Sequence, residues 1–247
     1  MDFIKSSYAS LTCLSVRQWQ ERRIVHGFLG KALDVKKNLD AWNALPHRYQ
    51  TDLLLLNQVH GVHIERISTK QRASACDGDG WFFEAKLTKS GPAIAYGIKT
   101  ADCLPVMLVS KHSQHRAVLH AGWKGVIADI FTRAVDLFQA EGIEAEMLEV
   151  AIGPSARSCC YQIGSELIEE ISKIQAGNER RESFIEQRDG SHYANLQEVV
   201  KFQAESAGIP ATQVLVSSIC TICSSDFFSF RRDGDESGRQ LSFIESF

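Results

Sequence analysis

The sequence predicts an α+β fold in which mixed β-sheets pack with helices in a layered sandwich, with residues 1–247 forming a single domain. Short apolar segments bounded by turn residues or charges recur along the chain, and segments with helical periodicity lie between some of them. The composition, with 44% hydrophobic and 23% charged residues, is that of a globular protein. Mixed chains of about this length often fold around one extended core.

Six segments have the length and composition of strands: residues 53–58, 93–98, 105–110, 116–120, 148–152 and 214–218. Three segments have apolar residues three or four positions apart, which predicts helices over residues 126–140, 165–174 and 196–207. Gly142 follows the first helix and Gly208 the third, as helix ends favour. Residues 175–190 and 231–239 are polar and charged, and we expect surface loops there.

Charge and hydropathy exclude several classes of protein. A net charge of −3 is too close to neutral for a protein that coats nucleic acid, so we expect no nucleic-acid partner. The longest apolar run, over residues 53–56, is far shorter than a membrane span. The first residues lack the pattern of an export signal, so we expect a cytoplasmic protein. Its oligomeric state stays open.

Seven cysteines, an odd number, favour reduced thiols over a disulfide framework. Cys220 and Cys223 have the C-x-x-C spacing of a zinc knuckle or a redox pair. The sequence has no second such pair for a four-thiolate site, and buried strand cysteines are the alternative interpretation.

Two strand ends carry residues suited to catalysis. The segment N-Q-V-H-G places Gln58 and His60 where a predicted strand runs into a turn. The segment K-T-A-D-C-L-P places Asp102 and Cys103 in a polar insertion between two apolar strands. Cys103 suits a nucleophile or a metal thiolate, since both uses need the ionised sulfur. A hydrogen-bonded structural histidine and a small buried thiol are the alternatives.

A third segment, H-A-G-W-K-G, joins a predicted strand to a predicted helix. It contains His120 and Lys124, and its glycines expose backbone N–H groups near the positive end of the helix, where an anion binds favourably. Close packing beneath Trp123 is the alternative role of these glycines. Arg157 lies in another turn, which could cradle a substrate. Arg231, Arg232 and Arg239 near the C-terminus offer guanidinium groups suited to phosphate, although a solvated turn would also contain them.

His60, Cys103 and His120 are separated by 43 and 17 residues, and each ends or interrupts a strand. Two imidazoles and a thiolate are three of the four ligands that zinc prefers, and three protein ligands leave the open position of a catalytic site. No local spacing signature links the three, so the residues alone leave this metal site as one hypothesis among several.

Five motifs occur in the order found in one family: N-Q-V-H-G, A-D-C-L-P-V, H-A-G-W-K-G, I-G-P-S…C-C-Y and F-S-F-R-R-D-G…G-R. From about residue 25 to 241 the sequence therefore resembles the laccase-domain proteins, also called polyphenol oxidases, purine nucleoside phosphorylases or peptidoglycan editing factors. The resemblance implies that His60, Cys103 and His120 bind the metal, normally Zn²⁺, with Cu²⁺ possible.

The resemblance also implies phosphorolysis of adenosine, inosine, guanosine and methylthioadenosine, and deamination of adenosine. The substrates would then be a purine nucleoside and phosphate. On chemical grounds we expect Asp102 to move protons beside the catalytic trio. Gln58, Lys124, Arg157, Arg231 and Arg232 are the expected substrate-binding residues, three of which (Lys124, Arg231 and Arg232) would neutralise phosphate charge.

The sequence departs from the family pattern at residues 77–83, which leaves substrate contacts there undefined, and at Lys124, where arginine is commoner. Two other classes of function compete with the metalloenzyme. One is a cysteine hydrolase that uses Cys103 on an amide, such as a misincorporated serine in a peptidoglycan precursor. The other is a binding protein without catalysis. A multi-copper oxidase is disfavoured because the chain has only 8 histidines.

Overall fold

Two six-stranded sheets and a smaller three-stranded sheet dominate the computed structural model, which describes residues 1–37, 40–45, 51–67, 76–85 and 93–246. The predicted class, mixed sheets packed with helices in layers, is confirmed. Within the described ranges, no helix combines the length and the apolar character needed to cross a bilayer.

The strands of the described residues are β1 (Phe3–Tyr8), β2 (Leu11–Val16), β3 (His26–Leu29), β4 (Thr51–Leu55), β5 (Ile64–Ile67), β6 (Gly80–Glu84), β7 (Ala93–Thr100), β8 (Leu104–Ser110), β9 (His115–Ala121), β10 (Leu148–Ile152), β11 (Gln162–Ile163), β12 (Ile185–Arg188), β13 (Ser191–Ala194), β14 (Val214–Val216) and β15 (Gln240–Glu245). The α-helices are α1 (Arg17–Glu21), α2 (Asp40–Asn43), α3 (Trp123–Ile127), α4 (Ile130–Ala140), α5 (Ser165–Ser172), α6 (Asn178–Glu182), α7 (Leu196–Ser206) and α8 (Phe230–Asp233).

The first sheet has the strand order β1-β2-β3-β15-β7-β4, and the second has the order β14-β10-β8-β9-β6-β5. The third sheet has the order β11-β13-β12. Both large sheets are mixed: β4 pairs with β7 in parallel, and β10 pairs with β14 in parallel, whereas β8 and β9 form an antiparallel hairpin. This hairpin lies at the centre of the second sheet and carries two of the predicted metal ligands at its open end.

Alternating side chains of the second sheet fill two separate cores. Trp81 and Phe83 of β6 join Phe28 and Tyr96 of the first sheet in a core between the two sheets. Phe82, which points the opposite way, packs edge-on against Phe138 of α4, with ring centroids 5.0 Å apart. Strand β8 is buried along its whole length because both of its faces are covered.

The six predicted strands all occur, with bounds that differ by a few residues, and 148–152 is reproduced without change as β10. The helix predicted over 126–140 is wrong in its continuity. It is divided into α3 and α4 by Asp129, which has a left-handed backbone with φ of 60°. The Asp129 carboxylate accepts a hydrogen bond from the Thr132 N–H at 3.2 Å, so it caps α4 and begins a new helix.

Two predicted loops contain regular structure. Residues 175–190 include α6 and β12, and β12 is ordered because it pairs with β13, with Glu186 opposite Tyr193. Residues 231–239 include most of α8, whose first turn is capped by the Ser229 hydroxyl accepting from the Arg232 N–H. Both segments were predicted as loops because their side chains are polar. They lie at the surface, but their backbones form hydrogen bonds in a strand pair and in short helices.

Candidate metal centre

His60, Cys103 and His120 converge at one end of the second sheet. Each offers one ligand atom, and the three atoms lie within 4.8 Å of one another. The two imidazole rings are edge-on, with centroids 4.8 Å apart and an interplanar angle of 79°. His120 is buried, Cys103 is partly buried and His60 is exposed, so the cluster opens toward solvent on the His60 side.

The β8–β9 hairpin brings Cys103 and His120 together. Leu104, the first residue of β8, pairs with Ala121, the last residue of β9. Cys103 directly precedes β8 and His120 directly precedes Ala121, so both side chains lie at the open end of the hairpin. The separation of 17 residues is therefore the length of two strands and their connection.

His60 reaches the hairpin through a turn that follows β4. Asn57 forms an isolated parallel bridge with Asp77, and its N–H donates to the Cys76 carbonyl at 3.0 Å. His60 itself has a left-handed backbone with φ of 59°, an uncommon conformation for a residue with a side chain. The turn is held in this shape by Asp79, which the sequence analysis did not identify as a site residue.

Asp79 is a fully buried carboxylate that organises the cluster. It accepts hydrogen bonds from the N–H groups of His60 at 3.0 Å and Gly61 at 2.7 Å. It also contacts His120 Nδ1 at 2.7 Å. Since a carboxylate only accepts, Nδ1 carries the hydrogen and the second ring nitrogen, Nε2, is left for Cys103 or a metal. An acidic residue directly before the apolar strand 80–83 was the available signal in the sequence.

These contacts shift the pKa values of the buried groups. Burial alone would raise the pKa of Asp79, but the hydrogen bonds from His120 and Gly61 outweigh it and hold that pKa below its usual value. Burial would likewise raise the pKa of Cys103, yet the two imidazoles lower it to about 6. Burial opposes the charge on His120, while Asp79 and Cys103 raise its pKa to about 9. The site therefore favours the ionised sulfur that a metal ligand needs.

The residues present fit a metal ion. Two imidazoles and one thiolate form a three-ligand set with room for a fourth, as in catalytic zinc sites. The contact between Asp79 and His120 is the outer hydrogen bond that orients a metal-binding histidine. Gly122 permits this crowding, because a Cβ atom there would lie 3.0 Å from Cδ2 of His60 and 3.3 Å from Sγ of Cys103.

A cavity of about 510 Å³ opens beside the three ligands and contains all of them in its lining. Lys36, Lys99 and Arg239 also line it, so one wall is positively charged. Burial and the neighbouring Arg239 charge lower the pKa of Lys99. Phe230 lies at the rim with 48% of its surface exposed, an uncommon state for a large aromatic side chain.

Of the five residues expected to bind substrate, only Gln58 lines the cavity. Gln58 lines the cavity, but its amide makes two hydrogen bonds of 2.8 Å to the backbone of Lys99, which ties the His60 turn to β7. Lys124 lies outside the residues that line the cavity, and its ammonium is 5.5 Å from the ring centroid of Trp123. Arg157 donates to the Ser217 carbonyl at 2.5 Å and holds two loops together.

The two C-terminal arginines are also engaged within the protein. Arg232 donates to the carbonyls of Thr221, Ile222, Ser224 and Phe227, so its guanidinium holds a loop and is not available for phosphate. The Arg231 side chain donates to the Gln162 carbonyl at 2.7 Å and lies over the Tyr161 ring, 5.1 Å from its centroid. Of the three cations that line the cavity, Arg239 was predicted from the sequence as a candidate phosphate ligand, whereas Lys36 and Lys99 were not.

Asp102 has a different environment from that expected of a proton shuttle. Its backbone has φ of 90°, and its carboxylate accepts from Thr221 Oγ1 at 2.6 Å, Ser229 Oγ at 3.0 Å and the Arg231 N–H at 2.7 Å. The carboxylate thus points into a loop and stabilises the unusual backbone directly before Cys103. This arrangement favours a positioning role for Asp102.

Comparison with known proteins places the chain in a family. It is 30% identical to adenosine deaminase RL5 from an unknown prokaryotic organism, over 78% of this chain and 74% of that protein. It is 30% identical to purine nucleoside phosphorylase YlmD of Geobacillus stearothermophilus, over 85% and 76% of the two chains. The crystal structure of hypothetical protein YfiH from Bacillus licheniformis superposes with a TM-score of 0.80 at 25% identity, covering 94% and 95%. A model of the multi-copper polyphenol oxidoreductase laccase family matches residues 27–246, and the chain belongs to that family.

Proposed function

We propose that this chain is a zinc-dependent purine nucleoside phosphorylase that acts on adenosine, inosine, guanosine and methylthioadenosine and that also deaminates adenosine. The observation that carries the proposal is one cavity that combines three metal ligands, three cationic side chains and an exposed aromatic ring. The names of the relatives, which include purine nucleoside phosphorylases and an adenosine deaminase, support the same chemistry.

The cavity has a separate feature for each part of the substrates. Phe230 offers an apolar face on which a purine base can stack. Lys99 and Arg239 supply the positive charge that a phosphate ion needs. Nη1 of Arg239 donates to the carbonyls of Ser237 and Gly238, so a phosphate would bind its other N–H groups. Thr100 also lines the cavity, and its buried hydroxyl has no hydrogen-bond partner in the described part of the chain.

His60, Cys103 and His120 would hold the metal. Bound zinc would supply a Lewis acid and lower the pKa of a bound water toward about 7. Asp79 holds a proton of His120 on Nδ1, so Nε2 is the nitrogen that would give up its proton and bind the ion. In phosphorolysis the cationic wall holds phosphate so that one of its oxygens bonds to the anomeric carbon while the carbon–nitrogen bond breaks. The base leaves with the electron pair of that bond and takes up a proton, and the sugar keeps the phosphate as its 1-phosphate. In deamination water replaces the purine amino group, which leaves as ammonia.

The direct test is phosphate-dependent release of hypoxanthine from inosine by the zinc-loaded protein, with ribose 1-phosphate as the second product. We expect turnover that needs phosphate and that Cys103→Ser abolishes. Cys13→Ser is the matched control, because the Cys13 sulfur lies 3.1 Å from Ser6 Oγ and 3.6 Å from Ser15 Oγ, where a hydroxyl also fits. If the zinc-loaded wild-type protein converts none of the four nucleosides, the proposal is overturned.

The lowered pKa of Cys103 also favours a second candidate function, a cysteine hydrolase acting on an amide such as a serine misincorporated into a peptidoglycan precursor. In that case the Cys103 thiolate attacks the carbonyl carbon of the amide, the amine leaves with a proton, and no metal is needed. Activity on such an amide by chelator-treated protein, lost on alkylation of Cys103, would support this second candidate. Metal-dependent activity that zinc protects from alkylation would support the first.

The ligand set bears on copper as well. Two imidazoles and a thiolate also suit a copper ion, so Cu²⁺ is the alternative metal for the same trio. Within the described ranges, however, the groups close enough to share an ion contain two histidines in all. A cluster of several coppers needs more imidazoles than this, and we therefore propose zinc and not multi-copper chemistry.

A further inference from the structure

A second group of potential metal ligands lies apart from the cavity. Cys159 and Cys160 occupy the turn after β10, and Cys220 and Cys223 occupy the turn after β14. The four sulfur atoms lie within 4.8 Å of one another. Cys223 Sγ is 3.0 Å from Cys160 Sγ and 3.5 Å from Cys159 Sγ.

The backbone assembles this group through the parallel neighbours β10 and β14. Beyond those strands, Ser155 forms an isolated parallel bridge with Cys220, and the Thr221 N–H donates to the Ser155 carbonyl at 3.1 Å. The Ser224 N–H donates to the Cys220 carbonyl at 3.0 Å, which closes the C-x-x-C turn. The two pairs of cysteines are thus placed face to face by backbone hydrogen bonds and not by their own sulfur contacts.

The distances suit a tetrahedral ion better than a disulfide. A zinc–thiolate bond of about 2.3 Å places tetrahedral sulfurs about 3.8 Å apart. The sulfurs of this group are separated by at least 3.0 Å in the two contacts that Cys223 makes, and all lie within 4.8 Å of one another. A disulfide would need a bond of about 2.05 Å and would use only two of the sulfurs. Here Cys223 contacts both Cys159 and Cys160.

Cys220 is the buried member of the group and has an environment suited to a thiolate. The backbone N–H groups of Cys223, Arg157 and Ile222 lie near its sulfur and offer it partial positive charge. Four thiolates so close together repel one another unless a cation lies between them. Backbone donors around one sulfur and a divalent ion among all four would together balance that charge.

We propose that Cys159, Cys160, Cys220 and Cys223 form a second metal site, a closed four-thiolate zinc site with a structural role. Binding would displace the thiol protons and join each sulfur to the ion, leaving no open position for substrate. The sequence contains only one C-x-x-C pair, Cys220 and Cys223. The second half of the site is the adjacent pair Cys159–Cys160, a spacing that the usual zinc motifs do not include.

Such an ion would fix the loops that support the catalytic trio. Thr221, next to Cys220, donates to the Asp102 carboxylate, and the Ala156 N–H donates to the Asp102 carbonyl at 2.9 Å. Asp102 in turn precedes Cys103. The four-cysteine site would therefore stabilise the turn that places Cys103 without contacting the substrate itself.

The test is the zinc content of the full-length protein, reduced, loaded with zinc and then desalted. We expect two zinc ions per chain in the wild type and one in the double variant Cys220→Ser/Cys223→Ser. Cys103→Ser should also bind one, and the control Cys13→Ser should keep two. One zinc per chain in the wild type that Cys103→Ser removes would overturn the second site and leave the proposed catalytic site intact.

Cobalt provides a measurement that does not depend on the folding of the double variant. In Cys103→Ser loaded with Co²⁺, six cysteines remain, and among the described residues only the four of this group lie close enough to share an ion, so an intense thiolate-to-cobalt charge-transfer band reports on the four-cysteine site. We expect the intense absorption of a tetrahedral four-thiolate centre in this variant. A spectrum without thiolate charge transfer, or a Cys160–Cys223 disulfide that persists in excess reductant, would contradict the proposal.

Discussion

The Asp79 carboxylate is 2.7 Å from His120 Nδ1 and is fully buried beneath the three candidate ligands. The same carboxylate accepts the backbone N–H groups of His60 and Gly61, so one side chain fixes two of the three ligands. The geometry of the metal centre therefore depends on a residue that does not itself line the cavity and, in the proposed role, does not bind the ion.

Replacement of Asp79 tests that dependence. Asp79→Asn keeps an oxygen acceptor but loses the charge that supports His120, so we expect zinc affinity at the catalytic site to fall about 10- to 100-fold. Chelator competition on the purified variant measures this change. Asp77→Asn is the matched control, because the hydrogen bond that the Asp77 carboxylate makes within the described ranges is to the Asn57 amide, at 2.6 Å, and not to a candidate ligand. Equal zinc affinity in Asp79→Asn and wild type would refute the role of Asp79.

The pKa of Cys103 makes a prediction about alkylation of the metal-free protein. Because the two imidazoles lower that pKa to about 6, the thiolate forms at a lower pH than in an ordinary cysteine. The rate of iodoacetamide modification of Cys103, followed by peptide mass spectrometry, should rise with pH to a plateau with a midpoint near 6. Added zinc should suppress the reaction. A midpoint of 8 or above would show that the imidazoles do not stabilise the thiolate.

Phe230 tests the position of the base. Stacking of a base on an aromatic ring contributes about 1–3 kcal/mol, so Phe230→Ala should raise the KM for inosine about tenfold while kcat changes less. Phe230→Leu retains apolar area without a ring face and should give an intermediate KM. If the alanine and leucine variants both keep the wild-type KM, the base binds elsewhere.

Lys99 tests the position of the phosphate. A charge-assisted hydrogen bond is worth about 1.5–3 kcal/mol, so Lys99→Gln should raise the KM for phosphate at least about tenfold. Lys173→Gln is the control, because Lys173 is an exposed residue that pairs with Glu170 on the surface of α5. The KM for inosine should change less than that for phosphate. An unchanged phosphate KM would move the anion site away from the Lys99 wall.

The central hairpin and its two ligands were predictable because their signal is local. Strand β8 is a continuous apolar run with a polar segment before it, and β9 leads directly into His120. The residue types offered the trio as one hypothesis among several, and the family resemblance selected it, in agreement with the convergence now observed. Residue spacing could not supply it, because the His60 turn meets the hairpin only through long-range backbone contacts with residues 76–79.

Other features escaped prediction for physical reasons. Strand β1 alternates partly buried and exposed residues at the edge of its sheet, and β15 buries Ser242 and Glu245, so neither resembles an apolar strand. Arg232 resembled a phosphate ligand because sequence shows its charge but not the four carbonyls that occupy it. Asp79 was not predicted because its role as a buried hydrogen-bond acceptor depends on the tertiary structure, which the sequence does not show.

The most direct measurement is an anomalous difference map from crystals of the zinc-loaded protein, recorded on both sides of the zinc absorption edge. We predict a peak bonded to His60, Cys103 and His120 at about 2.0–2.3 Å, with the fourth position facing the cavity. Catalytically active crystals with no anomalous peak among these three side chains would contradict the account.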